Sequence, residues 1–114
     1  MKAQNLVGGI WDDNPQANTY KTVNPITKAP FPTNFQEATK QQIQISVNKA
    51  SEVFDLYSSI SFAERIKFLS SIKSGLLKKS EKILEIFQNE SALPKSRSEG
   101  ELQRTVNQIE NFIE

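Results

Sequence analysis

Residues 61–77, which read SFAERIKFLSSIKSGLL, decide the fold of this chain. Their apolar side chains recur at helical spacing and place one apolar stripe along a helix. The members of that stripe are Ile66, Leu69, Ile72 and Leu76, widened by Phe68 and Leu77. Ser61 and Glu64 form a capping box, because each side chain can satisfy the backbone N–H of the other. The stretch therefore predicts an amphipathic helix that begins just after Ser61.

The residues before this stretch predict another helix. From Thr39 onward one face is apolar, and it is formed by Ile43, Val47, Ala50, Phe54 and Tyr57. Thr39 followed by Gln42 is a second capping box.

Two further helices are expected after residue 77. Lys78 and Lys79 suit the last turn of the helix before them, and we expect Ser80 to cap the next one. That third helix should bury Ile83, Leu84 and Phe87 and stop near Ala92, ahead of Pro94. A fourth face is formed by Leu102, Val106, Ile109, Phe112 and Ile113, and we expect the sequence to stop inside this helix.

The first 38 residues have a different character, since they hold four of the five prolines. Gly8-Gly9 predicts a tight hairpin and Asn24-Pro25 a second turn, whereas Pro30 and Pro32 argue against a central strand. We expect the strands to be edge strands. The predicted fold class is an α+β segment, with strands and turns in residues 1–38 and four amphipathic helices in residues 39–114.

Composition excludes most catalytic chemistry. The chain has no cysteine and no histidine, which removes thiolate nucleophiles, imidazole bases and the commonest metal ligands. We therefore predict no catalytic residue and no metal site. A net charge of +1 and the absence of long apolar runs predict no nucleic-acid partner, no membrane partner and a cytoplasmic location. The six cations and two anions of residues 61–82 are expected to form a solvated helix face.

The remaining candidate residues are charged groups near the last helix. Glu90 could act as a general base and Glu99 with Glu101 as a carboxylate pair, but solvated groups near a helix start explain them better. Arg97 and Arg104 could each hold a substrate carboxylate through two parallel hydrogen bonds, although structural ion pairing is the favoured interpretation. The substrate-binding residues stay unknown. The spacing of Gly8, Gly9, Gly75 and Gly100 matches no nucleotide-binding loop, so no cofactor-binding residue is predicted.

Read in order, these landmarks resemble the amino-terminal segment of the aldehyde dehydrogenase superfamily. Gly8-Gly9-Ile10-Trp11 resembles its opening hairpin, and residues 23–28 (VNPITK) resemble its asparagine-proline-alanine-threonine-glycine turn. The helix from Thr39, with Ala50 and Phe54 facing inward, resembles its first long helix, and Ala63-Glu64-Arg65 marks the next. The resemblance implies a part of the α/β aldehyde dehydrogenase fold.

One branch of that superfamily is the most similar. Where most members have glutamate-threonine-glycine-lysine, this chain reads Glu90-Ser91-Ala92-Leu93-Pro94. The motif that carries the similarity consists of Ala92-Leu93-Pro94, Arg97, Gly100-Glu101, Arg104-Thr105, Gln108 and Phe112. It resembles the NADP-dependent 2,5-dioxovalerate (2-oxoglutarate semialdehyde, or 2,5-dioxopentanoate) dehydrogenases.

The resemblance implies NADP or NAD as the cofactor of a complete member and oxidation of an aldehyde to the carboxylate. It also implies that the nucleophilic cysteine, the general-base glutamate and the phosphate-side glycines lie beyond residue 114. We therefore expect this chain alone to be inactive and to bind no cofactor. It could associate with itself as a homo-oligomer or with a full-length relative. The alternative hypothesis is a small helical protein-interaction module.

Overall fold

The computed structural model describes residues 2–114, and it has short strands followed by four helices. The strands are β1 (Lys2–Ala3), β2 (Asn5–Val7), β3 (Ile10–Asp12), β4 (Thr19–Tyr20) and β5 (Asn34–Gln36). The helices are α1 (Lys40–Ser59), α2 (Phe62–Lys78), α3 (Ser80–Ser91) and α4 (Lys95–Asn111). The α+β prediction is confirmed. Two compact units form: the described residues up to Val23 with Ala29–Ser59, and Asn24–Lys28 with Ile60–Glu114.

The strands of the first unit form two small sheets. Gly8 and Gly9 have φ of 57° and 88°, a left-handed backbone that glycine adopts without steric cost, and they join β2 to β3 as a hairpin in which Val7 pairs with Ile10. This confirms the predicted hairpin. The second sheet has the order β1-β5-β4, with β1 parallel and β4 antiparallel to β5. The expectation of edge strands is therefore wrong for β5, which begins after Pro32 and so keeps its N–H donors.

Helix α1 begins at the predicted capping box. The Thr39 N–H donates to Gln42 Oε1 at 2.9 Å, and the Gln42 N–H donates to Thr39 Oγ1 at 3.2 Å. The expectation that Ala50 and Phe54 face inward is wrong, because both are exposed and Phe54 is 66% exposed. The buried side chain of α1 is Gln42. The helix contacts β2 along the side that carries Gln42 and Ser46. Its apolar face, which includes Ile43 and Val47, lies next to that contact.

In the second unit, α2 and α3 both pack against α4. The Ser61–Glu64 capping box is confirmed by hydrogen bonds in both directions. The prediction that Ser80 caps α3 is wrong, because Ser80 is already helical and Lys79 stands between the two helices. Helix α3 stops at Ser91, and Ala92 follows in a left-handed conformation with φ of 58°.

Helix α4 provides the packed centre of this unit. Val106 is 4% exposed, whereas Leu102 and Ile109 are half-buried. The assigned helix runs to Asn111, and helical hydrogen bonding continues beyond it, because the N–H groups of Ile113 and Glu114 both donate to Glu110 O, at 2.8 and 3.2 Å.

The second predicted turn is also present. Asn24 Oδ1 accepts from the N–H groups of Ile26 at 2.9 Å and Thr27 at 3.0 Å, and the Lys28 N–H donates to Asn24 O at 2.8 Å. Lys28 completes the turn with φ of 61°. It thus occupies, with a side chain, the turn position where the resembled family carries glycine.

Candidate functional site

The candidate site lies on the first half of α4. Pro94 precedes this helix, and its carbonyl accepts from the N–H groups of Arg97 at 3.0 Å and Ser98 at 3.1 Å. Ser98 is 1% exposed, and its hydroxyl donates to the same carbonyl at 3.2 Å. The fixed φ of proline and this hydrogen-bonded first turn set the direction of the helix. They thereby place Arg97, Glu101 and Arg104 on neighbouring positions of one helical surface.

Glu101 stands between the two arginines and binds both. Arg97 Nη2 lies 2.6 Å from Glu101 Oε1. Arg104 donates twice to the other oxygen, Oε2, from Nε at 3.0 Å and from Nη2 at 2.8 Å. The hydrogen bond and the charge of Arg104, assisted by the charge of Arg97, hold the pKa of Glu101 below its usual range. Glu101 is therefore an ionised acceptor and a weak base.

An apolar groove adjoins this ion-pair cluster. Its volume is about 170 Å³, and Glu101 contributes to its wall. The other lining residues are Leu76, Ile83, Leu84, Phe87, Ser98, Leu102 and Thr105. The Thr105 hydroxyl donates to the Glu101 carbonyl at 2.9 Å, so it is already engaged within the helix. The groove therefore offers apolar contact and no free nucleophile.

The other carboxylates singled out from the sequence do not join this cluster. Glu99 lies 3.8 Å from Lys95 Nζ, so it has a different partner from Glu101 and the two do not form a carboxylate pair. Glu90 is exposed on the last turn of α3. Arg97 and Arg104 are brought together, but by Glu101, which uses donors of both guanidinium groups.

The cluster of Arg97, Glu101 and Arg104 can bind an anion, but it has no group suited to proton transfer or nucleophilic attack. Each guanidinium has five N–H donors, and the side chains of Arg97 and Arg104 are 66% and 74% exposed. They retain donors for an anion such as a carboxylate. A guanidinium does not release a proton in proteins, and Glu101 stays ionised. Among the residues that the structure describes, no three His, Cys, Asp or Glu side chains are grouped to hold a metal ion.

Sequence reasoning missed two features of this unit. Lys73 Nζ on α2 lies 2.8 Å from Glu110 Oε1 on α4, and this ion pair joins the two helices. The burial of Ser98 was also missed, although its position four residues after Pro94 is a detectable signal, since a serine hydroxyl can donate to the carbonyl four residues before it. The Lys73–Glu110 pair leaves no such local signal.

Comparisons of the sequence and of the fold with known proteins lead to the same family. A profile described as "Aldehyde dehydrogenase family" matches residues 11–114. A curated relative, the D-glyceraldehyde dehydrogenase (NADP(+)) of Picrophilus torridus, is 23% identical over 108 residues, which are 95% of this chain and 22% of that protein.

Solved structures agree with this family in fold. Aldehyde dehydrogenase 21 from Physcomitrella patens, in complex with its reaction product succinate, superposes with a TM-score of 0.86 at 19% identity over 96% of this chain. An aldehyde dehydrogenase from Bartonella henselae superposes with a TM-score of 0.88 at 20% identity over 98% of this chain. The chain spans 22% and 24% of those two structures.

No helix of the described residues is both long and apolar enough to cross a membrane.

Proposed function

This chain belongs to the aldehyde dehydrogenase family, and we propose that it acts as the amino-terminal segment of an NAD(P)-dependent enzyme that oxidises an aldehyde to a carboxylate. The observation that carries the proposal is the family match from residue 11 to residue 114. In this role the segment contributes folded structure to the complete enzyme. Residues 1–38 would supply its strands and turns, and residues 39–114 its helices, within one amino-terminal domain.

The chemistry of aldehyde oxidation in this family defines what the segment lacks. A thiolate attacks the aldehyde, hydride passes to NAD(P), and water hydrolyses the resulting thioester. The chain has no cysteine, so the attack has no nucleophile here. We infer that the segment has no turnover by itself and binds no cofactor by itself.

For the substrate we propose an aldehyde that carries a carboxylate, with 2,5-dioxopentanoate as the leading candidate. The support is the motif Ala92-Leu93-Pro94, Arg97, Gly100-Glu101 and Arg104-Thr105, which resembles the branch acting on that compound. The moss enzyme whose fold this chain shares forms succinate, which also carries carboxylates. NADP is the proposed cofactor of the complete enzyme, in keeping with the NADP-dependent archaeal relative. We also propose a cytoplasmic location.

A segment replacement tests this role. The matching segment of the Bartonella henselae enzyme would be exchanged for this chain, and reduced cofactor would be measured with an aldehyde that the parent oxidises. We expect the chimera to keep activity within about tenfold of the parent, since the shared fold preserves the packing of the reacting groups. The parent without its segment is the control and should be inactive. A folded chimera with no turnover would contradict the proposal.

A second role is favoured by one observation. Twenty-one large hydrophobic residues of the described chain are exposed, and seven of them lie on α1. Large exposed apolar surface marks interaction sites. A small protein-interaction module is therefore the competing proposal, and activity of the chimera above would count against it as the sole role.

A further inference from the structure

We draw no further inference here: the strongest candidate, the exposed apolar face of α1 that carries Ile43, Val47 and Phe54, carries none, because the chain spans 22% and 24% of the two solved structures whose fold it shares and nothing in the part of the chain that the structure describes shows what covers this face.

Discussion

Gln42 Nε2 donates to Asp12 Oδ2 at 2.7 Å, and this hydrogen bond joins the first turn of α1 to the end of β3. The same Gln42 side chain accepts from the Thr39 N–H through Oε1, so one amide both caps the helix and connects it to the hairpin. Gln42 is 4% exposed. Its two polar groups are therefore satisfied in a place that water hardly reaches.

We expect Gln42→Ala to lower the free energy of unfolding of this unit by about 2 kcal/mol, because it leaves buried partners unsatisfied. Gln41→Ala is the matched control, since Gln41 is exposed on the same turn, and it should change stability by less than about 0.5 kcal/mol. Urea denaturation followed by Trp11 fluorescence measures both. Equal losses of stability in the two variants would show that the hydrogen bond between Gln42 and Asp12 contributes nothing to the free energy of unfolding.

The ion pair between Lys73 and Glu110 should contribute measurably to the packing of α2 on α4. Its side chains are 27% and 46% exposed, so solvent screens it less than the Lys82–Glu85 pair, which is 67% and 61% exposed. Double-mutant cycles to alanine should give a coupling of about 0.5–1 kcal/mol for Lys73–Glu110 and about 0.3 kcal/mol for Lys82–Glu85. A larger coupling for the exposed pair would contradict this order.

Glu101 should show a pH dependence that Arg104 controls. Arg104 is the main cause of the lowered pKa of Glu101, so Arg104→Gln should raise that pKa toward its ordinary value, and Arg97→Gln should raise it less. Carboxyl NMR titration measures each pKa directly.

The sign of the associated stability change follows from the lowered pKa. Because the folded chain holds Glu101 ionised more strongly than the unfolded chain does, this stabilisation is present above the ordinary glutamate pKa of about 4.3 and is lost as the pH falls through the folded value. The stability difference between the natural chain and Arg104→Gln should therefore shrink on acidification from about pH 7 to about pH 3. A stability difference that grew on acidification would show that the lowered pKa of Glu101 is not its cause.

Lys28 is predicted to carry backbone strain that glycine would relieve. Its φ of 61° lies in the left-handed region, which costs a residue with a Cβ roughly 1–2 kcal/mol relative to glycine. Lys28→Gly should therefore stabilise the chain by about 0.5–1 kcal/mol after the greater freedom of the unfolded glycine is subtracted. Lys21→Gly, at a position without positive φ, should be neutral or destabilising in thermal denaturation. Equal changes in stability for Lys28→Gly and Lys21→Gly would contradict the backbone strain proposed at Lys28.

How far the sequence predicts this fold depends on how local each signal is. Both capping boxes use residues three apart, and the helices begin where Thr39 and Ser61 predict. The failure at Ser80 has a local cause too: Lys79 ends one helix and begins the next, and its N–H already donates to carbonyls of α2, so no separate serine cap forms.

Burial and long-range pairing were beyond sequence reasoning. Periodicity places Phe54 on the apolar face of α1, but it does not reveal whether another element covers that residue, and Phe54 is 66% exposed. The Arg97–Glu101–Arg104 cluster follows from spacings of four and three on a helix. The Lys73–Glu110 pair, 37 residues apart, depends on how α2 packs against α4.

The most direct test of the central claim is a turnover assay of the purified 114-residue chain with 2,5-dioxopentanoate and NADP. Because the chain has no thiol to attack the aldehyde, reduced cofactor should form no faster than in a blank without protein. Formation of reduced cofactor at a rate proportional to the concentration of the chain would contradict the claim.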